Sequence, residues 1–361
     1  MAGGKELKQI EVGLHPNAII KSGDGQFVYV ANGNSDYVSV ISTVSGAVVD
    51  SINVSLNQQG HSFIGSSPNA LLLDKTGNRL YVANGMDNAM AVIRLGSKSS
   101  HNTGDDKLIG FIPTEAYPAG LAIDDKNIYV SNLEGEGARL NIKGSYNAHH
   151  MGATVSIIPV PKDDEMQALT ARVEKANLMF RTRLAQLLPR PNVKPKPVPD
   201  RIGEPSLIKH VIYIIKENRT YDQVLGDMPQ GNGMKSLCIF GDSVTPNQHK
   251  LATDFELMDN YYVSGKSSAE GHQWTDAAMT SDYVEKNVRA WFRSYPHVQN
   301  DALVYNKEGF IWNDALDHGK TVRIYGEACD PAWDRTFKWK DIYERYQQGN
   351  PVPFKNETTM S

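Results

Sequence analysis

The 361 residues predict a multidomain chain, a partial β-propeller followed by an α/β sheet domain, and three observations carry that reading. A tetrapeptide recurs three times within the first 160 residues, prolines crowd the stretch 189–199, and an almost wholly apolar run at 208–215 ends abruptly in Glu217, Asn218 and Arg219. The expected organisation is three to four blades over 1–160, a helical and proline-rich linker over 161–205, and the α/β part over 206–361.

Tyr29-Val30-Ala31-Asn32 returns as Tyr81-Val82-Ala83-Asn84 and as Tyr129-Val130-Ser131-Asn132, at offsets of 52 and 48. Each copy has a matching lead-in: His15-Pro16-Asn17-Ala18, Ser67-Pro68-Asn69-Ala70 and Tyr117-Pro118-Ala119-Gly120. Between lead-in and tetrapeptide lies Gly23-Asp24-Gly25, Lys75-Thr76-Gly77 or Asp124-Asp125-Lys126, turn chemistry that closes a hairpin. An alternating strand follows, at 37–41 and again at 89–93. One repeat is therefore a small antiparallel sheet, and a period of about 40 to 50 residues built from hairpins marks a propeller blade. Residues 153–160 read as a strand of a fourth blade. An incomplete ring leaves blade edges open to another chain. The polar excursion 133–152 contains His149-His150; adjacent histidines in a strand point to opposite faces, so the segment reads as a solvated loop rather than a metal site.

From 163 to 188, Met166, Leu169, Val173, Ala176, Phe180, Leu184 and Leu187 fall at steps of three and four and draw one stripe along a helix. Five prolines in 189–199 forbid helix and set an extended spacer at the domain boundary. The basic residues of 172–201 read as a solvated face rather than a nucleic-acid or lipid site. A net charge of -4 argues for neither partner, and 40% hydrophobic with 22% charged residues is ordinary globular composition. No apolar run approaches the roughly 20 residues of a membrane-spanning helix, and the first residues carry no apolar signal core. Cys238 and Cys329 fit no metal-ligand spacing; they could pair in an oxidising compartment, but read rather as buried free thiols.

The run at 208–215 reads as a strand covered on both faces of a parallel sheet. Further strands are expected at 237–240, 255–262 and 321–325, and helices at 274–285 and 310–318, the last stopped by Gly319. Ligands of open α/β sheets sit beyond the carboxyl ends of strands, where Glu217 and Asn218 fall. A carboxylate beside an amide oxygen suits a hard divalent cation, and Arg219 suits a phosphate; a charged turn after a strand would read the same.

YVANGNSDYVSVI resembles the signature of YVTN-type propeller repeats, a likeness that covers 10–160. KHVIYIIKENRTYDQVLG, FELMDNYYVSGKSSAEGHQWTDAAMTSDYVE and GFIWNDALDHGKTVRIYGE resemble, in order, three segments of the phosphoesterase branch of the alkaline phosphatase superfamily, which holds bacterial acid phosphatases and phospholipases C. The resemblance implies an incomplete alkaline-phosphatase-like α/β sandwich and a hydrolase of phosphoric ester bonds that uses a divalent metal ion. It implies Glu217 and Asn218 as metal ligands, Ser268 as the nucleophile that becomes phosphoserine, and His272 and Arg219 as phosphate contacts. The match needs a one-residue gap, so Ser267 and Thr275 stay open as the hydroxyl. Further aspartate and histidine ligands would lie beyond residue 361, so this chain alone is expected to bind metal weakly and hydrolyse little. The resemblance also implies an extracytoplasmic location, periplasmic or at the cell surface, a phosphate-ester substrate, and a propeller that binds or positions a protein, glycan or substrate. The alternative is a non-catalytic, propeller-based binding or cell-surface protein whose α/β domain is a scaffold.

Overall fold

In the first 160 residues the alternation of apolar and polar side chains folds into three antiparallel sheets. The computed structural model describes residues 8–58, 64–96, 106–135, 152–287, 309–327, 348 and 357–360. The first sheet runs β1 (Pro16–Lys21), β2 (Phe27–Asn32), β3 (Tyr37–Ser42) and β4 (Ala47–Asn53) in that order. The second repeats it as β5 (Pro68–Leu73), β6 (Arg79–Asn84), β7 (Ala89–Arg94) and β8 (Lys107–Pro113). The third holds β9 (Pro118–Ile123), β10 (Asn127–Asn132) and β11 (Thr154–Pro159). These are propeller-type meanders, with the tetrapeptides on the second strand of each and the expected turns between first and second strands. One expectation is corrected: β11 pairs with β10 along its whole length, Asn127 opposite Pro159 and Asn132 opposite Thr154, so 153–160 completes the third sheet rather than starting a fourth. The length of the 133–152 excursion disguised a hairpin as a new repeat; His149 and His150 lie outside the described residues.

The middle sheet shows why the repeats stack. On β6 and β7, Leu80, Val82, Ala91 and Ile93 pack with Tyr29, Val38 and Val40 of the first sheet. Tyr81, Met90 and Val92, pointing the other way, pack with Ile128 and Val130 of the third. The period of two thus feeds two cores from one sheet, each buried aliphatic side chain contributing about 1.5–3 kcal/mol.

Polar side chains repeat with the same spacing. Asn17 Nδ2 donates to the Pro68 carbonyl at 3.2 Å, and Asn69 Nδ2 to the Pro118 carbonyl at 2.9 Å; the third lead-in has Ala119 in that place. Asp36 accepts from the N–H groups of Gly65, Ser66 and Ser67 at 2.7, 3.0 and 3.1 Å, and Asn88, 52 positions on, accepts from Tyr117 N–H at 2.8 Å. His15, Ser67 and Tyr117 share a left-handed φ of 53°, 52° and 54° before their prolines. The tetrapeptide asparagines are buried linchpins: Asn32 Nδ2 donates to the Tyr37 carbonyl and to Ser39 Oγ, both at 3.0 Å, and Asn132 Nδ2 to Ser156 Oγ at 2.9 Å.

The helix expected over 163–188 is two helices, α1 (Met166–Ala176) and α2 (Met179–Gln186), separated at Leu178, whose φ of 52° no α-helix allows. Met166 and Val173 of α1 are buried, whereas Phe180 and Leu184 are exposed. Phe111 N–H donates to Thr170 Oγ1 at 2.9 Å across α1 and β8. Gly110 makes this approach possible, since a Cβ there would come within 2.4 Å of Thr170 Oγ1 at a φ of 150°. The proline-rich spacer folds back on itself, with Arg190 gripping Glu204 through Nε at 2.7 Å and Nη2 at 2.8 Å.

The chain forms two compact units, 1–207 with 267–361, and 208–266. Unit 208–266 contains α3 (Tyr221–Leu225), a 3-10 turn (Lys235–Leu237) and α4 (Pro246–Asp254). The strand expected at 208–215 is absent, with Val211 80% and Ile212 87% exposed, and 237–240 and 255–262 form no strands either. An apolar run becomes a strand only where other strands complete its ladder, and among the described residues of this unit none does. The larger unit continues with α5 (Ser268–Ala277), α6 (Asp282–Asn287), α7 (Ile311–Asp317) and β12 (Val322–Tyr325). β12 pairs antiparallel with β13 (Glu357–Met360), a hydrogen-bonded pair and not a parallel α/β sheet. Among the described residues no helix is long and apolar enough to cross a membrane.

Candidate functional site

The single helix expected over 274–285 is broken into α5 and α6 at Ala278, whose φ is 55°. Ser267 precedes α5 in extended conformation, and Ser268, His272 and Asp276 then fall at steps of four, on one face of the helix. Ser268 is exposed, Ser267 and Thr275 are half-buried. Several polar side chains of the helix pair and the turn between them are buried: Glu270, Gln273, Thr280, Ser281, Asp282 and Glu285. Glu285 Oε1 accepts from Thr280 Oγ1 at 2.9 Å and from Trp274 Nε1 at 3.2 Å, which offsets the cost of taking a carboxylate out of water.

His272, Asp276 and Glu327 converge, each offering one ligand atom within 4.8 Å of the others. His272 Nδ1 lies 2.9 Å from Glu327 Oε2. Burial, reinforced by the charge of Glu327 and a hydrogen bond with it, pushes the Asp276 carboxyl up to about 7, against the pull of His272. His272 was legible in the sequence; Asp276 and Glu327 were not, because 51 positions separate them.

Asp282 joins the helix pair to the sheets. It is fully buried and accepts from Asn17 Nδ2 at 2.8 Å and Tyr117 OH at 2.7 Å, with Lys286 Nζ at 3.0 Å and His15 Nδ1 at 3.7 Å. Its backbone N–H reaches Asn34 Oδ1 at 3.3 Å. His15 and Asn17 come from the lead-in of the first sheet and Tyr117 from that of the third, whereas Asn34 follows β2 and Lys286 lies on α6. Burial, followed by the nearby Asp282 charge, holds the Tyr117 phenol well above its ordinary value. Burial also lowers His15, although Asp282 pulls it upward. Sequence reasoning treated the lead-ins as repeat markers only; the signal available was their odd side chains, His15 and Tyr117, where the second lead-in has Ser67.

Glu217, Asn218 and Arg219 lie in the other compact unit, 208–266. All three are exposed; Asn218 Nδ2 donates to Glu217 Oε1 at 3.1 Å, and the Arg219 guanidinium lies 5.0 Å from the Phe240 ring centre. Two adjacent exposed side chains supply at most three oxygens where a hard cation takes about six, so by themselves they do not cage one. The same unit holds a pairing the sequence did not disclose, His249 with Asp227 at 2.8 Å and with the Thr245 carbonyl at 2.9 Å. Two acceptors, one at each ring nitrogen, favour the doubly protonated imidazole.

No family model and no curated protein matches the chain. Among solved structures it is similar to a putative 6-phosphogluconolactonase from Bacteroides uniformis, at 17% identity over 42% of this chain and 43% of that one, with a TM-score of 0.30. It is similar to a periplasmic gluconolactonase of Pseudomonas aeruginosa at 18% identity, over 40% of this chain and 43% of that one, with a TM-score of 0.29. It is also similar to the Cps50 (Swd1) β-propeller domain of Myceliophteria thermophila at 15% identity, over 41% and 44%, with a TM-score of 0.27. The chain spans less than half the length of each of these structures. The blade character of the three sheets rests on their own strand order and repeated contacts.

Proposed function

We propose that the chain acts in the hydrolysis of phosphoric esters, with Ser268 as the nucleophile and the three sheets as the platform that holds its helix pair. The reading is supported by the three collinear resemblances at 209–226, 255–285 and 309–327. The observation that carries it is the placement of Ser268: exposed on the first turn of α5, with α6 beyond it anchored through Asp282 to the first and third sheets. The first turn of a helix favours negative charge, as a phosphate requires. Ser268 Oγ attacks phosphorus in line, the ester oxygen leaves as alcohol, and water then cleaves the phosphoserine to phosphate and the free hydroxyl. His272, one turn along the same face, is a phosphate contact that the resemblance names. The resemblance also names a divalent cation, which would stabilise the serine alkoxide and the phosphoryl charge. Glu217 and Asn218 do not cage such an ion by themselves.

The test compares release of nitrophenolate from a nitrophenyl phosphate monoester and diester, with and without Mn2+, by the wild type and Ser268→Ala. It is run on this chain and, where the reading frame continues, on the longer protein. Turnover that falls by about 10³-fold or more in Ser268→Ala, with phosphoserine at position 268 in acid-quenched peptides, supports the reading. Turnover unchanged by the substitution, or none from well-folded protein of either length, sinks it and favours the propeller-based binding protein.

A further inference from the structure

We propose that His272, Asp276 and Glu327 bind one first-row divalent cation, at a site distinct from the Glu217 and Asn218 pair. The site stands on its own geometry and does not depend on Ser268 being a nucleophile.

The scaffold is regular structure. His272 and Asp276 sit one turn apart on α5, the spacing that presents two ligands from one side of a helix, and Glu327 follows the end of β12. Neighbouring ligands on a cation with bonds of about 2.1 Å lie about 3.0 Å apart, and opposite ligands about 4.2 Å apart. His272 Nδ1 and Glu327 Oε2, at 2.9 Å, match a neighbouring pair, and a spread within 4.8 Å for all three closes onto an ion by small side-chain shifts.

Charge points the same way. A histidine and one glutamate would balance each other as a simple ion pair. Asp276 adds a second carboxylate, itself 5% exposed, to a pair whose side chains are only 20% and 22% exposed. Two carboxyl groups and one imidazole brought together in partly desolvated surroundings form a donor set that a bound divalent cation stabilises. One imidazole nitrogen with two carboxylate oxygens suits Mn2+, Fe2+ or Zn2+ better than Ca2+, which prefers oxygen alone. Three protein ligands leave coordination positions open for water or for an oxygen of an anionic ligand.

The experiment titrates chelator-treated 361-residue protein with Mn2+ and with Zn2+ by calorimetry, in the wild type, Glu327→Gln, His272→Asn and Glu217→Gln. The expected result is one equivalent of saturable binding that weakens at least tenfold in Glu327→Gln and in His272→Asn. Bound Mn2+ should also show electron spin-echo modulation from one imidazole nitrogen. That signal decides the matter in the wild type even if a variant fails to fold. No saturable binding, binding lost in Glu217→Gln but kept in Glu327→Gln, or no nitrogen modulation would overturn the proposal. Metal bound at this site, with no ester turnover by either this chain or the longer protein, would sink the hydrolase reading and leave the cation site standing. Turnover dependent on Ser268 without binding here would do the reverse.

Discussion

The three-sheet region and the segment 208–266 are both rich in branched aliphatic and aromatic residues, yet only the first buries them. Leu80, Val82, Ile93 and Ile128 are wholly sequestered, whereas Val211, Ile212 and Ile214 lie open to solvent. The difference is partnership. In the sheets each hairpin provides its own ladder, and the next repeat, about 50 residues on, provides a second face to pack against. In 208–266 order comes instead from local polar clasps: the Thr220 and Gln223 capping box on α3, Met234 N–H on Asp222 at 2.7 Å, and His249 between Asp227 and Thr245. Apolar composition is thus a demand for burial, met only where the topology brings a second surface.

The comparison breaks most sharply at the buried positions. Leu80→Ala should lower stability by about 3 kcal/mol, read as a fall in the urea midpoint, while Ile212→Ala should move it by less than about 0.5 kcal/mol. Equal effects would mean that the two regions are not organised as described. Asp282→Ala should cost a comparable amount, about 3 kcal/mol, because Asn17, Tyr117 and Lys286 lose a shared buried acceptor. Circular dichroism should then show the sheets retained and helix signal reduced.

A pH experiment sharpens the picture of the stack. Burial, only partly offset by hydrogen bonds from Ser66 and Asn84 and worsened by the charge of Asp36, pushes Asp87 up to about 7 from 3.8. The folded chain therefore keeps a proton that the unfolded chain releases. This contribution is fully present below the unfolded value and is lost as pH rises through about 7. Between pH 5 and 8 the wild type should lose on the order of 2 kcal/mol relative to Asp87→Asn, which carries no ionisable group there. Parallel urea-midpoint curves for the two proteins would refute the burial of this carboxyl.

The clasp in 208–266 is a pair of opposite charges rather than a buried neutral acid. Burial pulls His249 down, but Asp227 and the Thr245 carbonyl outweigh it, so its pKa is raised above 6.5; the same pairing holds Asp227 down to about 2. The clasp is complete between these limits, weakening as pH rises through the histidine's value or falls through the aspartate's. Imidazole proton resonances should place the His249 midpoint above 6.5, and Asp227→Asn should bring it down. Among the polar contacts a smaller effect is expected for Asn69→Ala, about 1 kcal/mol for the hydrogen bond between sheets, measured by urea unfolding.

Much of the first region was legible because hairpins are local. Turn residues such as Gly77 and the alternating strands on either side sit within a dozen positions of one another, so their pairing is written in the order of the residues. The helix break at Leu178 was not legible, since the apolar stripe continues across it and only the left-handed backbone there reveals the change of direction. Residues 208–215 misled for the converse reason: they have the composition of a buried strand, and composition does not state whether a partner strand exists. At the candidate site, Ser268 and His272 could be singled out on a resemblance, whereas Asp276, Asp282 and Glu327 could not.

The sequence by itself determined the repeated hairpins and their turns, because period-two patterning and turn chemistry act over a few residues, but not that 153–160 closes the third sheet. Tertiary structure alone decided that Asp282 would be fully buried among Asn17 and Tyr117, and that His272 and Asp276 would meet Glu327. Those groups lie between 51 and 265 positions apart, measured from Asp276 to Glu327 and from Asn17 to Asp282. No local rule couples charges at such separations; they become neighbours only when the burial of apolar surface elsewhere has already fixed the backbone, and their energies are set by the solvent that this burial removes.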